Sequence, residues 1–305
     1  MSGKLYIDGL DAYTYGIFVT EGGYDELVSF PALKKIDVND WPEEDGVEPD
    51  LSEPALDLKE FAINFASHGK TLTENFIALI SDKAYHTYDF REIGRMYNLR
   101  LVSQPNLSLF TNLELFSLQF ANDFPFPDNY TYQVPYSTLS IPQTGYILDN
   151  RDFTDYGIRV LRGSDAEVIK SPAVKKNLLT NFNKRHGAEY DGEEVVFQTK
   201  DVKLNCLMRA NTPAEFWRNY NAFLFDLTRP EERSLYVDNT GYEYPCYYKS
   251  CNTVTFCPVG KTWFEFTLTL VFISFRVGEV EYLLASEDDF FIVSEEDDEL
   301  FIDME

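Results

Sequence analysis

The chain has 305 residues, 51 acids against 26 bases, a net charge of −25, 44% hydrophobic and 16% aromatic residues, and four cysteines. The acidity excludes a duplex-gripping nucleic-acid binder and a binder of anionic membrane, both of which need a basic surface. The apolar content excludes global disorder, and four cysteines in a chain this long make no disulfide framework. No apolar run approaches membrane-spanning length, since Phe266 to Phe275 is too short and carries Thr. Met1-Ser2-Gly3-Lys4 leads straight into strand-like sequence with no signal-peptide pattern, so a reduced, cytoplasmic origin is expected.

In chain order, Leu5 to Val19 reads as a hairpin turning at Asp8-Gly9, with Ile17-Phe18-Val19 as strand. Phe30-Pro31-Ala32-Leu33-Lys34-Lys35 follows. Residues 37–57 then read as a long loop, with seven acids and no base between Glu43 and Asp57 and with Pro42, Pro49 and Pro54. Such a loop is longer than a connector needs to be. Glu60 to Ala66 alternates, placing Phe61, Ile63 and Phe65 on one face of a strand. Thr71 caps a predicted helix, with Glu74 three residues on and Phe76, Leu79, Ile80 and Ala84 as its apolar stripe. Arg95 to Ser103 and Phe110 to Phe120 read as strands. Phe124 to Gly145, with Pro125, Pro127, Pro135 and Pro142, reads as a semi-extended linker.

The pattern then begins again at an offset of 141 residues, with no gap from about residue 5 to residue 74. Phe30-Pro31-Ala32-Leu33-Lys34-Lys35 returns as Ser171-Pro172-Ala173-Val174-Lys175-Lys176. Asp11, Tyr15, Gly16, Ile17 and Val19 return as Asp152, Tyr156, Gly157, Ile158 and Val160. Gly46, Lys59 and Asn64 return as Gly187, Lys200 and Asn205. Asp149-Asn150 stands for the first turn, and Val202, Leu204 and Cys206 stand for the buried face of the strand. Thr212-Pro213-Ala214-Glu215 is a capping box with Pro at the first helical position, followed by the stripe Phe216, Tyr220, Phe223 and Leu224. The second long loop, residues 177–192, carries Lys184, Arg185 and His186 where the first is acidic. Tyr242 to Thr255 and Phe264 to Phe272 close the copy as strands, after about a dozen extra residues.

This is an internal duplication. The predicted fold is mostly β (α+β): two tandem sandwich or partly closed barrel domains, each with one flanking helix, and an acidic tail. The expected boundaries are 1–123, a linker at 124–145, 146–278, and the tail at 279–305, which holds twelve acids and no base. Both copies should share one topology, with Phe61–Phe65 and Val202–Cys206 in equivalent positions. Two apolar clusters in the tail, Phe290 to Val293 and Leu300 to Ile302, are expected to form short strands docked on a sheet edge.

A search for chemistry assigns no catalytic, cofactor or metal residue. His68, His86 and His186 form no ligand or triad spacing, and Cys246, Cys251 and Cys257 are spaced by five and six positions rather than as a zinc motif. No phosphate loop, dinucleotide fingerprint or nucleophile elbow occurs. Abundant carboxylates admit a glycosidase, but no pair is singled out. Tyr-rich stretches such as Tyr242 to Tyr248 admit a carbohydrate-binding or adhesive two-domain protein.

One family fits the order of features. Ile7-Asp8-Gly9, Tyr15-Gly16-Ile17, Pro31-Ala32-Leu33-Lys34-Lys35, a long loop and the Phe61-x-Ile63-x-Phe65 strand come first. A helix, Tyr97-x-Leu99-Arg100-Leu101-Val102 and Phe116-x-Leu118-x-Phe120 complete it. This order resembles the N-terminal belt domain of phage distal tail proteins, with the tail-tube fold, over about residues 5–125 and again over 146–276. Duplication of the domain departs from those proteins and resembles baseplate hub proteins. The resemblance implies a non-enzymatic structural protein of a phage or prophage tail tip. It would form a ring, trimer or hexamer, around the DNA channel and join the tail tube to baseplate or receptor-binding proteins. Its implied partners are itself and the tail-tube and tail-tip proteins; DNA would only pass through the lumen, and no membrane or cofactor is involved. Its implied location is the virion tail, assembled in the cytoplasm of the bacterial host. On this reading the loops 37–57 and 177–192 meet neighbouring domains, with opposite charge setting register.

Overall fold

A computed structural model describes residues 3–20, 22–68, 70–127, 129–176, 179–190, 195–275, 293–294 and 297–301. Met1–Phe275 forms one compact unit and Arg276–Glu305 another. In the first unit, β1 (Leu5–Ile7) and β2 (Leu10–Asp11) turn at Asp8-Gly9, whose φ angles of +48° and +85° are those of a tight hairpin. β3 (Ile17–Val19), α1 (Asp25–Val28) and the short pair β4 (Val38–Asn39) and β5 (Glu48–Pro49) follow. Then come β6 (Lys59–Ser67), α2 (Lys70–Ile80), β7 (His86–Phe90), β8 (Arg95–Leu109) and β9 (Glu114–Asn122).

The second half repeats each element. β10 (Tyr146–Leu148) and β11 (Arg151–Asp152) turn at Asp149-Asn150, with φ of +46° and +66°. β12 (Ile158–Val160), α3 (Ser164–Ile169) and the pair β13 (Leu179–Asn181) and β14 (Ala188–Tyr190) follow. β15 (Lys200–Ala210), α4 (Pro213–Leu227), β16 (Arg233–Val237), β17 (Tyr242–Cys257) and β18 (Thr262–Phe272) complete it. The strand orders are β2-β1-β7-β8-β9-β6-β3 and β11-β10-β16-β17-β18-β15-β12, the same path twice. The protein is mostly β, with two seven-stranded antiparallel sheets, and Phe61–Phe65 and Val202–Cys206 occupy the same position in each.

Alternation sets the cores. In β6, Phe61, Ile63 and Phe65 are buried and face Phe120, Leu118 and Phe116 of β9 in register. Phe76 of α2 covers them, with ring centroids 5.7 Å from Phe65 and 6.2 Å from Phe116. In the second sheet Val202, Leu204 and Cys206 face Leu270, Leu268 and Phe266, under the buried Phe216, Tyr220 and Phe223 of α4. The described residues of 124–145 run along α4 without regular structure: Arg218 and Asn219 donate to the Tyr136 carbonyl, and the Tyr132 hydroxyl donates to Asp226 at 2.8 Å.

Several sequence expectations need correction. α2 begins at Lys70, ahead of Thr71, and ends at Ile80, leaving Ala84 exposed. It lacks the proline that pins α4 at Thr212, where the Thr212 hydroxyl accepts from the Glu215 N–H at 3.2 Å. The reciprocal half of that capping box is diverted: the Glu215 carboxylate accepts from Thr138 and from the Asn211 N–H, not from Thr212. β8 runs past Ser103 to Leu109 through two register shifts, the second of which accommodates Pro105, so Phe110 sits in the turn, 54% exposed. Residues 37–57 and 177–192 are hairpin arms rather than open loops. Each is closed at its base by an isolated bridge, Leu33↔Leu56 or Val174↔Phe197, and paired further out by β4–β5 or β13–β14; residues 177, 178 and 191–194 lie outside the described residues.

In the second unit, β19 (Val293–Ser294) pairs with β20 (Asp297–Phe301). Phe290, Phe291 and Ile292 of the first tail cluster and Ile302 of the second lie outside the described residues.

Candidate assembly interface

The two repeats meet through a contact that differs on its two sides. The chain leaving α1 carries Phe30, 2% exposed, into the core of the second repeat. Its ring stacks on Tyr220 at 4.2 Å and meets Phe223, Phe264 and Phe266 at 5.5–6.0 Å. Burying such a side chain contributes about 1.5–3 kcal/mol. The flanking main chain is held as well. The Tyr220 hydroxyl donates to the Ser29 carbonyl at 3.2 Å, and the Tyr248 hydroxyl to that of Pro31 at 2.8 Å. The Leu33 N–H donates to the Lys249 carbonyl at 3.0 Å. Lys249 lies in the register shift between Tyr248 and Ser250, where the ladder skips a residue and leaves its carbonyl to a newcomer.

Further contacts widen the seam. The Phe256 N–H donates to Asp25 Oδ1 at 2.8 Å, and Trp217 Nε1 to the Ile93 carbonyl at 2.6 Å. The Arg95 guanidinium lies 4.2 Å from the Trp217 ring and donates to Asn221 Oδ1 at 3.1 Å, joining cation–π attraction to a directed bond. A cleft of about 480 Å³ opens along the seam between Tyr24, Glu92, Phe256 and Trp263. Its charged groups, Lys4 and Glu92, pair with each other at 2.6 Å.

The first arm completes the contact. At its tip the Gly46 N–H donates to the Phe197 carbonyl at 2.9 Å, and the Phe197 N–H donates to Asp45 Oδ1 at 2.6 Å. Lys175, 3% exposed, donates to Asp40 Oδ1 at 2.6 Å and to the Trp41 carbonyl at 2.7 Å. The Leu51 carbonyl accepts from the Glu231 N–H at 2.9 Å. Gly46 has φ +70°, and a Cβ there would lie 1.7 Å from the Ile273 carbonyl oxygen, so only glycine lets the arm lie this close. Opposite charge was expected between the acidic arm and Lys184 and Arg185. Within the chain the acidic arm pairs with Lys175 instead, and Arg185 pairs with Glu189 of its own arm at 2.6 Å.

Two equivalent lysines anchor the roots. Lys59 donates to the Leu27 carbonyl at 2.8 Å and to that of Ser29, and Lys200 donates to the Val168 carbonyl at 2.6 Å. Burial pushes the Lys59 ammonium down to about 7 and that of Lys200 down to about 8.

The residues weighed for chemistry have structural surroundings. His86 is buried with Nδ1 2.7 Å from Asp8 and Nε2 3.2 Å from Asp82. Desolvation raises the Asp8 pKa, but Lys83, the Thr87 N–H and His86 outweigh it and hold the carboxyl at about 2. The group pins the first hairpin. His68 lies against Phe18, and His186 sits exposed on the second arm. Cys246, Cys251 and Cys257 are free thiols on β17. Among the described residues no group of His, Cys, Asp and Glu is arranged to hold a metal ion. Tyr242 to Tyr248 open strand β17, where Tyr244 and Tyr248 are core residues and Tyr242 stays exposed. No described helix is long and apolar enough to cross a membrane.

Phe30, Arg95 and Trp217 were not singled out in the sequence. The available signal was the one substantial departure within the repeated hexapeptide, Phe30 against Ser171.

No protein-family model matches the chain, and no curated protein matches it. Among solved structures it is similar to the SPP1 Dit (gp 19.1) protein, titled a paradigm of the hub adsorption apparatus in phages infecting Gram-positive bacteria. That likeness covers 88% of this chain and 97% of that one, at 13% identity and a TM-score of 0.32. A likeness at that score assigns neither fold nor role.

Proposed function

We propose that this chain is a structural, non-enzymatic subunit of a phage or prophage tail tip. Its repeats form a ring around the DNA channel and join the tail tube to baseplate or receptor-binding proteins. The observation that carries the ring is the seam between repeats: one repeat contributes an arm and the other a receiving face. Such a head-to-tail contact between like units generates rings when its rotation closes. The tail-tip assignment rests on the order of sequence features shared with distal tail proteins. Six repeats per layer correspond to three chains, and two such layers to six. The acidity suits a conduit, because like charge disfavours adhesion of DNA to the wall.

Negative-stain microscopy of the purified chain, alone and with tail-tube protein, tests this. Rings with a central hole are expected. Monomers under both conditions would overturn the proposal.

A further inference from the structure

The seam leaves one half of itself unused at each end of the chain. The first repeat's arm is docked and the second repeat's receiving face is covered. The second arm and the first repeat's receiving face have the same architecture. We infer that the second arm docks on the first repeat of another copy of this chain, with the Val174 N–H donating to the Val102 carbonyl. This rests on the ring reading above and names the surface that closes it.

The equivalence is residue by residue. Val237↔Tyr242 opens the β16–β17 ladder as Phe90↔Arg95 opens β7–β8, so Lys249 and Val102 stand at the same step. Both lie in a register shift, between Tyr248 and Ser250 and between Leu101 and Ser103. Leu33, the donor to Lys249, is matched by Val174, and each forms the bridge at the base of its arm.

Exposure separates the used surfaces from the unused ones. Val28 is fully buried, whereas its counterpart Ile169 is 54% exposed. Phe256 is 7% exposed, whereas Leu109, at the same step of β8, is 56% exposed. Val102 and Val174 are also exposed. Gly46 is jammed against Ile273, whereas a Cβ on Gly187 would meet nothing within 4 Å. Two apolar surfaces that match the two sides of an existing interface are thus open on one molecule.

Charge favours the same pairing. Residues 1–123 hold 21 acids against nine bases, while residues 146–278 hold 17 of each. The second arm brings Lys184 and Arg185 to the acidic repeat of its neighbour. Several departures make this contact weaker than the intrachain one: Ser171 replaces the Phe30 anchor, Leu101 stands where Tyr248 supplies a hydroxyl, and Ala166 and His186 stand where Asp25 and Asp45 accept main-chain N–H groups. A reversible joint between chains and a permanent one within them follow.

The test uses full-length chain carrying Cys257→Ser, with Val102→Cys in one preparation and Val174→Cys in the other. A short bismaleimide cross-linker is added to each and to their mixture at several hundred micromolar. Both positions are exposed, so folding should be unaffected, and thermal melts check this. The expected result is an adduct at twice the 35.3 kDa chain mass, formed on mixing and at least about tenfold less in either preparation alone. No adduct on mixing overturns the assigned surface, even where microscopy shows rings. An adduct without rings supports the surface and counts against the ring.

Discussion

The two arms begin from one sequence pattern and end in different states. The first leaves α1 with Phe30, crosses the seam and lays Gly46 on the second arm's base. The second leaves α3 with Ser171, exposed, and its Gly187 stands in open space. The backbone plan is common to both, so what differs is the set of side chains that anchor it. The joint between the halves is closed within the chain, and on the pairing inferred above the outer faces would form a second one. One large aromatic, present in one copy and absent from the other, distinguishes the two arms.

Removing the anchor is the sharpest way to break the comparison. Phe30→Ala should destabilise the first unit by about 3–5 kcal/mol, because the pocket among Tyr220, Phe223, Phe264 and Phe266 cannot collapse around alanine. Ser171→Ala should change stability by less than about 0.5 kcal/mol. Denaturant unfolding of the two variants gives the comparison directly, and equal losses would show that the arms are not distinguished by this residue.

The glycines at the arm tips come next. Gly46→Ala sets a methyl against the Ile273 carbonyl and should cost about 2–4 kcal/mol, or displace the arm. Gly187→Ala, at φ +83° in open space, should cost only the left-handed backbone penalty of about 1 kcal/mol. Limited proteolysis within residues 37–57 would report displacement of the first arm. If Gly187→Ala proves the more damaging, the second arm is already docked in the isolated chain.

Much of this fold is legible in the sequence, and the seam is not, for separate reasons. Turn chemistry and alternation are local, so Asp8-Gly9, Asp149-Asn150 and the Phe61-x-Ile63-x-Phe65 face can be read without knowing what lies opposite. The extension of β8 to Leu109 is hidden because Pro105 cannot donate to a ladder, yet the register shift between Ser103 and Asn106 accommodates it. Leu107, Leu109 and Phe110 are apolar, yet stand exposed, which pattern alone does not show. The seam depends on which copy of a repeated feature is engaged. Lys34 and Lys175 look alike in sequence, but only Lys175 is buried, against Asp40. Pattern alone cannot rank two copies; the difference between them can, and Phe30 against Ser171 was that difference.

Assembly offers a smaller effect. Lys184→Glu with Arg185→Glu should leave the melting temperature of the isolated chain unchanged, since their arm tip is exposed. It should slow association between chains by about tenfold in low salt, and by less as salt rises, because such charges mainly steer encounter. Sedimentation velocity at two ionic strengths measures this, and unchanged assembly at both would remove the electrostatic part of the pairing.

The smallest expected effect compares the lysines at the two arm roots, and it depends on pH. Burial lowers the Lys59 pKa from 10.5 to about 7, so between those values the unfolded chain holds a proton that the folded chain lacks. Stability from this group therefore rises with pH across that window, falls as pH drops toward 7, and is level below it. For Lys200 the window is narrower, from about 8 to 10.5. Lys59→Met loses the bonds to the Leu27 and Ser29 carbonyls at every pH, but below about 7 it also escapes the cost of a buried charge. Lys59→Met should therefore lie closer to the parent protein at pH 7 than at pH 9, with the gap in melting temperature widening by about 2–4 °C. Lys200→Met should show less widening over the same range, because its titration begins about one unit higher. Melts of both variants at pH 7, 8 and 9, each read against the parent, separate the two windows. A gap that stays constant with pH would mean that Lys59 keeps its proton in the fold, and that the carbonyls at the arm root hold a full ammonium.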